Sequence, residues 1–203
     1  QKKVVDDPQK AAKNTKKSVK AAINRARKPA KRPKSGTKFI NHPPTSVPSY
    51  FQGRFNETKM LADFLQDDEH RIFHLIGRAG IGKTVLTVRL LKHLEAGKLP
   101  DDNGDMSVDG IVYLSQIGSR DLKVSNLFPD LCLLLPEDIA DELDTLYREP
   151  QTSMTVKMKA LLSHFPPDKK VAVLLDNFED VIDKETQEIT DLELDEALGL
   201  NIK

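Results

Sequence analysis

The stretch "GRAGIGKT", Gly77 to Thr84, constrains this chain more than any other. It meets G-x-x-x-x-G-K-[ST] at every fixed position, which ordinary residue frequencies would give in under about one per cent of chains this long. Its surroundings sharpen the reading. The apolar run "RIFHLI", Arg71 to Ile76, comes just before it and predicts a short strand buried on both faces. Val85, Leu86, Val88, Leu90, Leu91 and Leu94 come after it with the spacing of a strongly apolar helix. Strand, glycine turn and helix in that order make a cradle for phosphate. Gly77, Gly80 and Gly82 remove the Cβ atoms that would keep backbone away from phosphate oxygens. The freed N–H groups converge on the anion, and the helix that starts near Lys83 points its positive end at the same place. Lys83 adds a full charge against the outer phosphates, and the Thr84 hydroxyl suits a magnesium ion. Arg78, Ala79 and Ile81 fill the variable positions, Arg78 facing either phosphate or solvent, and Val85 carries the loop into the helix.

A phosphate loop of this kind needs a second magnesium anchor at the end of a neighbouring strand. "KVAVLLDN", Lys170 to Asn177, is a continuous apolar strand that ends on Asp176, so Asp176 takes that place. Glu179 and Asp180 follow one turn later. Either is placed to orient or polarise a water, and Glu179 is the preferred one. The plainer reading of both is a pair of solvated acids at a helix start.

The rest of the chain alternates strands with helices. "NETKMLADFLQ" has Glu57, Met60, Leu61, Phe64 and Leu65 in helical rhythm. "GIVYLS", Gly110 to Ser115, is a buried strand. "DLKVSNLFPDLCLLL" predicts a helix broken or started at Pro129, and "EDIADELDTLY" and "TSMTVKMKALLSHF" are two further helices. "DDNGD", Asp101 to Asp105, reads as an exposed hairpin-like connection, since it lacks the remaining ligands of a calcium loop. Alternation of this kind with wholly apolar strands predicts an α/β fold: a parallel sheet with helices on both faces.

Charge divides the chain in two. Residues 1–38 hold 14 of the 31 Lys and Arg and 2 of the 31 Asp and Glu, a net +12, and residues 39–203 hold the other 17 and 29, a net −12. The basic part predicts a helix from about Asp7-Pro8 to Lys28, then a Pro-rich linker over residues 29–48. The expected units are therefore a basic helical segment and linker, 1–47, and an α/β domain, 48–203. The basic segment reads as a solvated tether or as a contact with DNA, without the interleaved aromatics that stack on bases. No run of 18 apolar residues predicts a membrane span, and there is no apolar leader at the N-terminus. Cys132, the one cysteine, reads as a small buried hydrophobe and fits a reduced, cytoplasmic setting. The histidines His70, His74, His93 and His164 have no metal spacing.

With "FQGR" at Phe51 to Arg54, "GRAGIGKT" and "VAVLLDNFED" in this order, the chain resembles the STAND class of P-loop NTPases, which includes NB-ARC and NACHT domains of apoptotic, plant immune and bacterial defence proteins. The resemblance covers about Pro48 to Leu200. It implies a three-layer P-loop NTPase fold with a parallel sheet, incomplete at its C-terminus. It implies ATP or ADP with Mg²⁺ on Gly77 to Val85, and Phe51, Gly53 and Arg54 bordering the base. It implies weak ATPase activity that resets a switch, with self-association in the ATP state. It also implies an effector domain upstream and a sensor array downstream, so that the chain is an internal fragment of a longer protein. NB-ARC domains usually put a second acid directly after the magnesium aspartate, where this chain has Asn177. NACHT-like domains put acids three and four residues later, which Glu179 and Asp180 match, and the subfamily stays open.

Other readings make other demands. A GTPase needs an N-K-x-D guanine reader, and the terminal "NIK" is not one. A small-molecule kinase commonly has a lid with clustered arginines, whereas Arg89, Arg120 and Arg148 are the arginines beyond the loop. A remodelling ATPase places Glu where Asn177 stands. The main alternative is a DNA-binding transcriptional or replication regulator gated by its ATPase domain, whose DNA affinity would fall steeply with salt. A module that holds nucleotide without cleaving it is a further alternative.

Overall fold

A computed structural model describes residues 37–43, 53–117, 120–186 and 188–199. Among them are three strands, β1 (Lys38–Ile40), β2 (Gly110–Ser115) and β3 (Val171–Asp176). Six α-helices accompany them: α1 (Phe55–Gln66), α2 (Lys83–Glu95), α3 (Val124–Cys132), α4 (Glu137–Tyr147), α5 (Met154–Ser163) and α6 (Leu192–Leu198). The strands form one parallel sheet in the order β1-β2-β3. Lys38 lies opposite Gly110, and the β2–β3 ladder runs from Gly110 opposite Val171 to Ser115 opposite Asp176.

Every residue of β2 is buried, which explains why "GIVYLS" alternates no polar side chains. Ile111 and Tyr113 project to one face and join Leu61, Leu86, Leu90 and Leu94 of α1 and α2. Val112 and Leu114 project to the other and join Phe128, Leu131, Leu143, Met158 and Leu161 of α3, α4 and α5. Helices therefore cover both faces of the central strand, and the mixed α/β arrangement follows. Each fully buried leucine in these clusters stabilises the fold by roughly 1.5–3 kcal/mol.

Several expectations change in the folded chain. Lys38–Ile40 lies within the stretch read as linker, yet it is an edge strand, fastened by Thr37 Oγ1 donating to Val108 O at 2.8 Å and Lys38 N donating to Asp109 O at 3.2 Å. Three residues between prolines and lysines are too few to register as a period. The run Arg71–Ile76 is not a strand of the sheet and is not buried on both faces. Phe73 and Leu75 pack towards α1 and α2, with the Phe64 and Phe73 rings 5.3 Å apart, while Ile72 and Ile76 are exposed. Among the described residues only one face of this run meets a core, so half of an apolar run stays outside. Pro129 neither breaks nor starts a helix: α3 passes through it. The burial of Leu127, Phe128, Leu131 and Cys132 on this short helix outweighs a proline penalty of about 3 kcal/mol. The expected helix of residues 7–28 lies outside the described residues.

The expected hairpin stands. The connection around Asp101–Asp105 is a tight hairpin, closed by Leu99 N to Gly104 O at 2.8 Å and Met106 N to Gly97 O at 3.1 Å, with Asp101 and Asp102 both at positive φ. Arg89 of α2 anchors it with a two-pronged pair to Asp101, at 2.9 and 2.5 Å. That pairing holds the Asp101 carboxyl below its ordinary range. Among the described residues no helix is long and apolar enough to cross a membrane, and no trio of His, Cys, Asp or Glu could hold a metal.

Cys132 is buried at the end of α3. Burial foremost, and the Asp144 charge next, push its thiol up to about 12. Because the folded value lies above the unfolded one, this residue's contribution to stability is present below the ordinary thiol range. It is lost as pH rises towards about 12. At about pH 8 the folded protein should react with an aromatic disulfide reagent at least about 100-fold more slowly than the urea-unfolded chain. Equal rates would mean that Cys132 is accessible.

Candidate functional site

The glycine loop joins Ile76 to α2. Gly80 and Gly82 have φ of 74° and 92°, a region that side-chain-bearing residues enter at a cost. Gly82 is the N-cap of α2 and has no side chain with which to cap it. The first helical bond runs from Leu86 N to Gly82 O at 3.0 Å, so the N–H groups of Lys83, Thr84 and Val85 lie ahead of the helical ladder. They point, with the positive end of a 13-residue helix, out of the loop. Arg78, Ala79 and Ile81 are exposed, and Val85 is half-buried on the first turn.

Asp176 reaches this loop from β3. The register places Ala172, Leu174 and Asp176 on the α1–α2 face of the sheet, since alternate strand residues share a face. Thr84 Oγ1 donates to the Asp176 carboxylate, 3.0 Å from Oδ1 and 3.1 Å from Oδ2, across 92 positions of sequence. Tyr113 of β2 donates its hydroxyl to Asp176 Oδ2 at 3.0 Å. Tyr113 is buried. Burial pushes its phenol above the ordinary value against a hydrogen bond with Ser115, the Asp176 charge adds to the rise, and it remains a proton donor. Sequence reasoning missed Tyr113, because only the β2–β3 register shows which residue of "GIVYLS" faces the aspartate.

Lys83 turns back over its own loop. Its Nζ donates to Gly77 O at 2.8 Å and lies 3.7 Å from Glu179 Oε1. Glu179 gets there because Asn177, at φ 57°, reverses the chain after β3 and starts a 3-10 turn, Phe178–Val181. Asn is among the few residues other than glycine that take up this conformation readily. Ser115 Oγ donates to Asn177 Oδ1 at 3.2 Å and so secures the reversal. The Glu179 side chain is more than half exposed, so its ion pair with Lys83 contributes little energy and chiefly records proximity. Asp180 is exposed, and its N–H bonds Asn177 O at 3.1 Å. The two acids are thus separated: Glu179 faces the loop lysine, while Asp180 occupies the turn.

Arg54 comes to the same loop from the start of α1, and both it and the preceding Gly53 have positive φ. The Arg54 guanidinium donates to Ile81 O and lies 3.6 Å from Glu57 Oε1. Phe51 lies outside the described residues.

These residues fit a polyphosphate and its magnesium ion. The positive φ of Gly80 and Gly82 suits this loop to glycine, whose backbone can approach an anion closely. Thr84 and Asp176 are hard oxygen donors held together by direct hydrogen bonds. Magnesium commonly takes one or two protein oxygens and completes its shell from phosphate and water. Thr84 and Asp176 would hold the ion, Lys83 and the α2 N-terminus the phosphates. The ion would neutralise charge on the phosphate oxygens.

No family model, curated protein or solved structure matches this chain. The functional reading therefore stands on the residues around the glycine loop and on the chemistry they share.

Proposed function

We propose that this chain is an ATP- and ADP-binding switch domain of the STAND type, built on a P-loop NTPase fold, with slow Mg²⁺-dependent ATP hydrolysis and nucleotide-controlled self-association. One observation carries the reading: Thr84, the last residue of the glycine loop, touches Asp176, the last residue of a strand 92 positions away. The motif alone predicts a loop that can hold phosphate. The contact adds the second anchor, a carboxylate, that a magnesium–phosphate site requires. Lys83 and Arg54 supply positive charge on either side of the loop, and Glu179 is the acid beside Lys83. The preference for adenine and the switching behaviour come from the resemblance of "FQGR", "GRAGIGKT" and "VAVLLDNFED" to the STAND class. In such a switch the γ-phosphate must bind the two states unequally, because a ligand moves an equilibrium only by its difference in affinity.

The test is calorimetric titration with Mg²⁺-ATP, Mg²⁺-ADP and Mg²⁺-GTP. The proposal expects adenine nucleotides to bind in the micromolar range, with a Kd below that of GTP by about tenfold or more. Light scattering in ATP and in ADP should then give different masses. Absence of binding at millimolar nucleotide would sink the site, and a preference for GTP would sink the STAND assignment. The DNA-binding alternative rests on the charge of residues 1–38, and the described residues add nothing to it.

A further inference from the structure

We propose that Tyr113 is the positioning residue that holds Asp176 in the orientation a divalent cation requires. This rests on the nucleotide reading above and deepens it. An aspartate's terminal torsion has broad, shallow preferences, so the carboxylate needs directional donors to fix its plane. Two elements supply them. Thr84 approaches from α2 and shares one proton between both oxygens, at 3.0 and 3.1 Å. Tyr113 approaches from β2 and bonds Oδ2 alone, at 3.0 Å. The Thr84 hydroxyl rotates about a single bond and shares its lone pairs with any cation that enters. The Tyr113 oxygen sits on a rigid ring clamped in the α1–α2 cluster and contributes direction only.

The hydroxyl itself is the telling feature. The Tyr113 ring lies among the buried side chains of that cluster, at 5% exposure, where phenylalanine would fill almost the same volume. A buried hydroxyl disfavours folding unless it is bonded. Here it donates to the carboxylate at the mouth of the phosphate loop, and the Ser115 hydroxyl bonds it as well. Partners of this kind, which touch a ligating residue and not the metal, commonly alter metal affinity 10- to 100-fold when removed.

The test uses Tyr113→Phe, which keeps the ring and removes the hydroxyl. ADP is first titrated in the presence of a chelator, and Mg²⁺ is then titrated into the ADP-saturated protein, with Mn²⁺ as a second probe followed by electron paramagnetic resonance. The expected result is a loss of roughly 10- to 100-fold in Mg²⁺ and Mn²⁺ affinity, with metal-free ADP affinity and Tm close to wild type. Asp176→Asn should lose cation affinity at least as strongly. Two results would overturn the role. One is unchanged cation affinity in Tyr113→Phe when the wild type binds ADP. The other is an equal loss of metal-free ADP affinity, which would mark the hydroxyl as a general support of the fold. If the wild type takes up no ADP in either condition, the nucleotide reading itself fails, and this role with it.

Discussion

Lys83→Ala should weaken Mg²⁺-ATP and Mg²⁺-ADP binding by about 30- to 150-fold and leave the fold standing. The first half follows from what the ammonium group faces. Lys83 Nζ hangs over the glycine loop, held by Gly77 O at 2.8 Å and beside Glu179 at 3.7 Å. A charge-assisted hydrogen bond to phosphate is worth about 2–3 kcal/mol, and each 1.4 kcal/mol is tenfold in Kd. The second half follows from what the side chain does not hold together. Its partners are a carbonyl in an exposed loop, which water can satisfy, and a carboxylate more than half exposed. The loss of stability should stay within about 1 kcal/mol. Calorimetric titration of both proteins, with thermal melts alongside, separates the two halves. Equal affinities would remove Lys83 from the phosphate site. A large drop in Tm would mean that the loop lysine is a structural support.

The largest stability effect should come from the far side of the sheet. Asp130 of α3 is completely buried, and its carboxylate pairs with Arg120 and accepts from Asn41 Nδ2 at 2.6 Å. This one carboxylate ties α3 to the residue after β1 and to the loop after β2. That loop also bonds Asp176, through Gln116 N to Asp176 O at 3.3 Å. The two partners are not equivalent. The Arg120 side chain is 38% exposed, and water can receive its charge once the pair is broken. Asp130 has no such route. Arg120→Met should therefore destabilise by about 3 kcal/mol, since it strands a buried carboxylate with one amide for company. Asp130→Asn should cost about 1–2 kcal/mol, since a neutral amide keeps most of the shape and releases a solvated arginine. Urea midpoints, at equal m values, give the comparison. The reverse ranking would show that Asp130 is better solvated than the packing implies.

Local chemistry was legible in the sequence, and partnership across the fold was not. The glycines Gly80 and Gly82 announce a left-handed turn ahead of a helix, because few other residues tolerate those angles, and α2 begins there. The apolar rhythms of α1, α2, α4 and α5 mark helices, and the unbroken run "GIVYLS" marks a strand covered on both sides, because period and continuity are properties of a single segment. The short edge strand Lys38–Ile40, the one-sided burial of Arg71–Ile76 and the helix through Pro129 had no such signature. Each depends on which neighbour lies alongside: β2 for the edge strand, α1 and α2 for the run, the core beneath α3 for the proline.

The same division holds at the site. On the proposed nucleotide reading, residue type and spacing single out Lys83, Thr84 and Asp176, since phosphate and magnesium demand bare backbone, a cation and hard oxygens. Which acid faces Lys83 was decided by the left-handed turn at Asn177, and which hydroxyl steadies Asp176 was decided by the β2–β3 register. A chain written in one dimension specifies its short-range preferences directly. Distances between residues 60 to 90 positions apart are set only when two hydrophobic faces close on the same strand and bring their polar ends together.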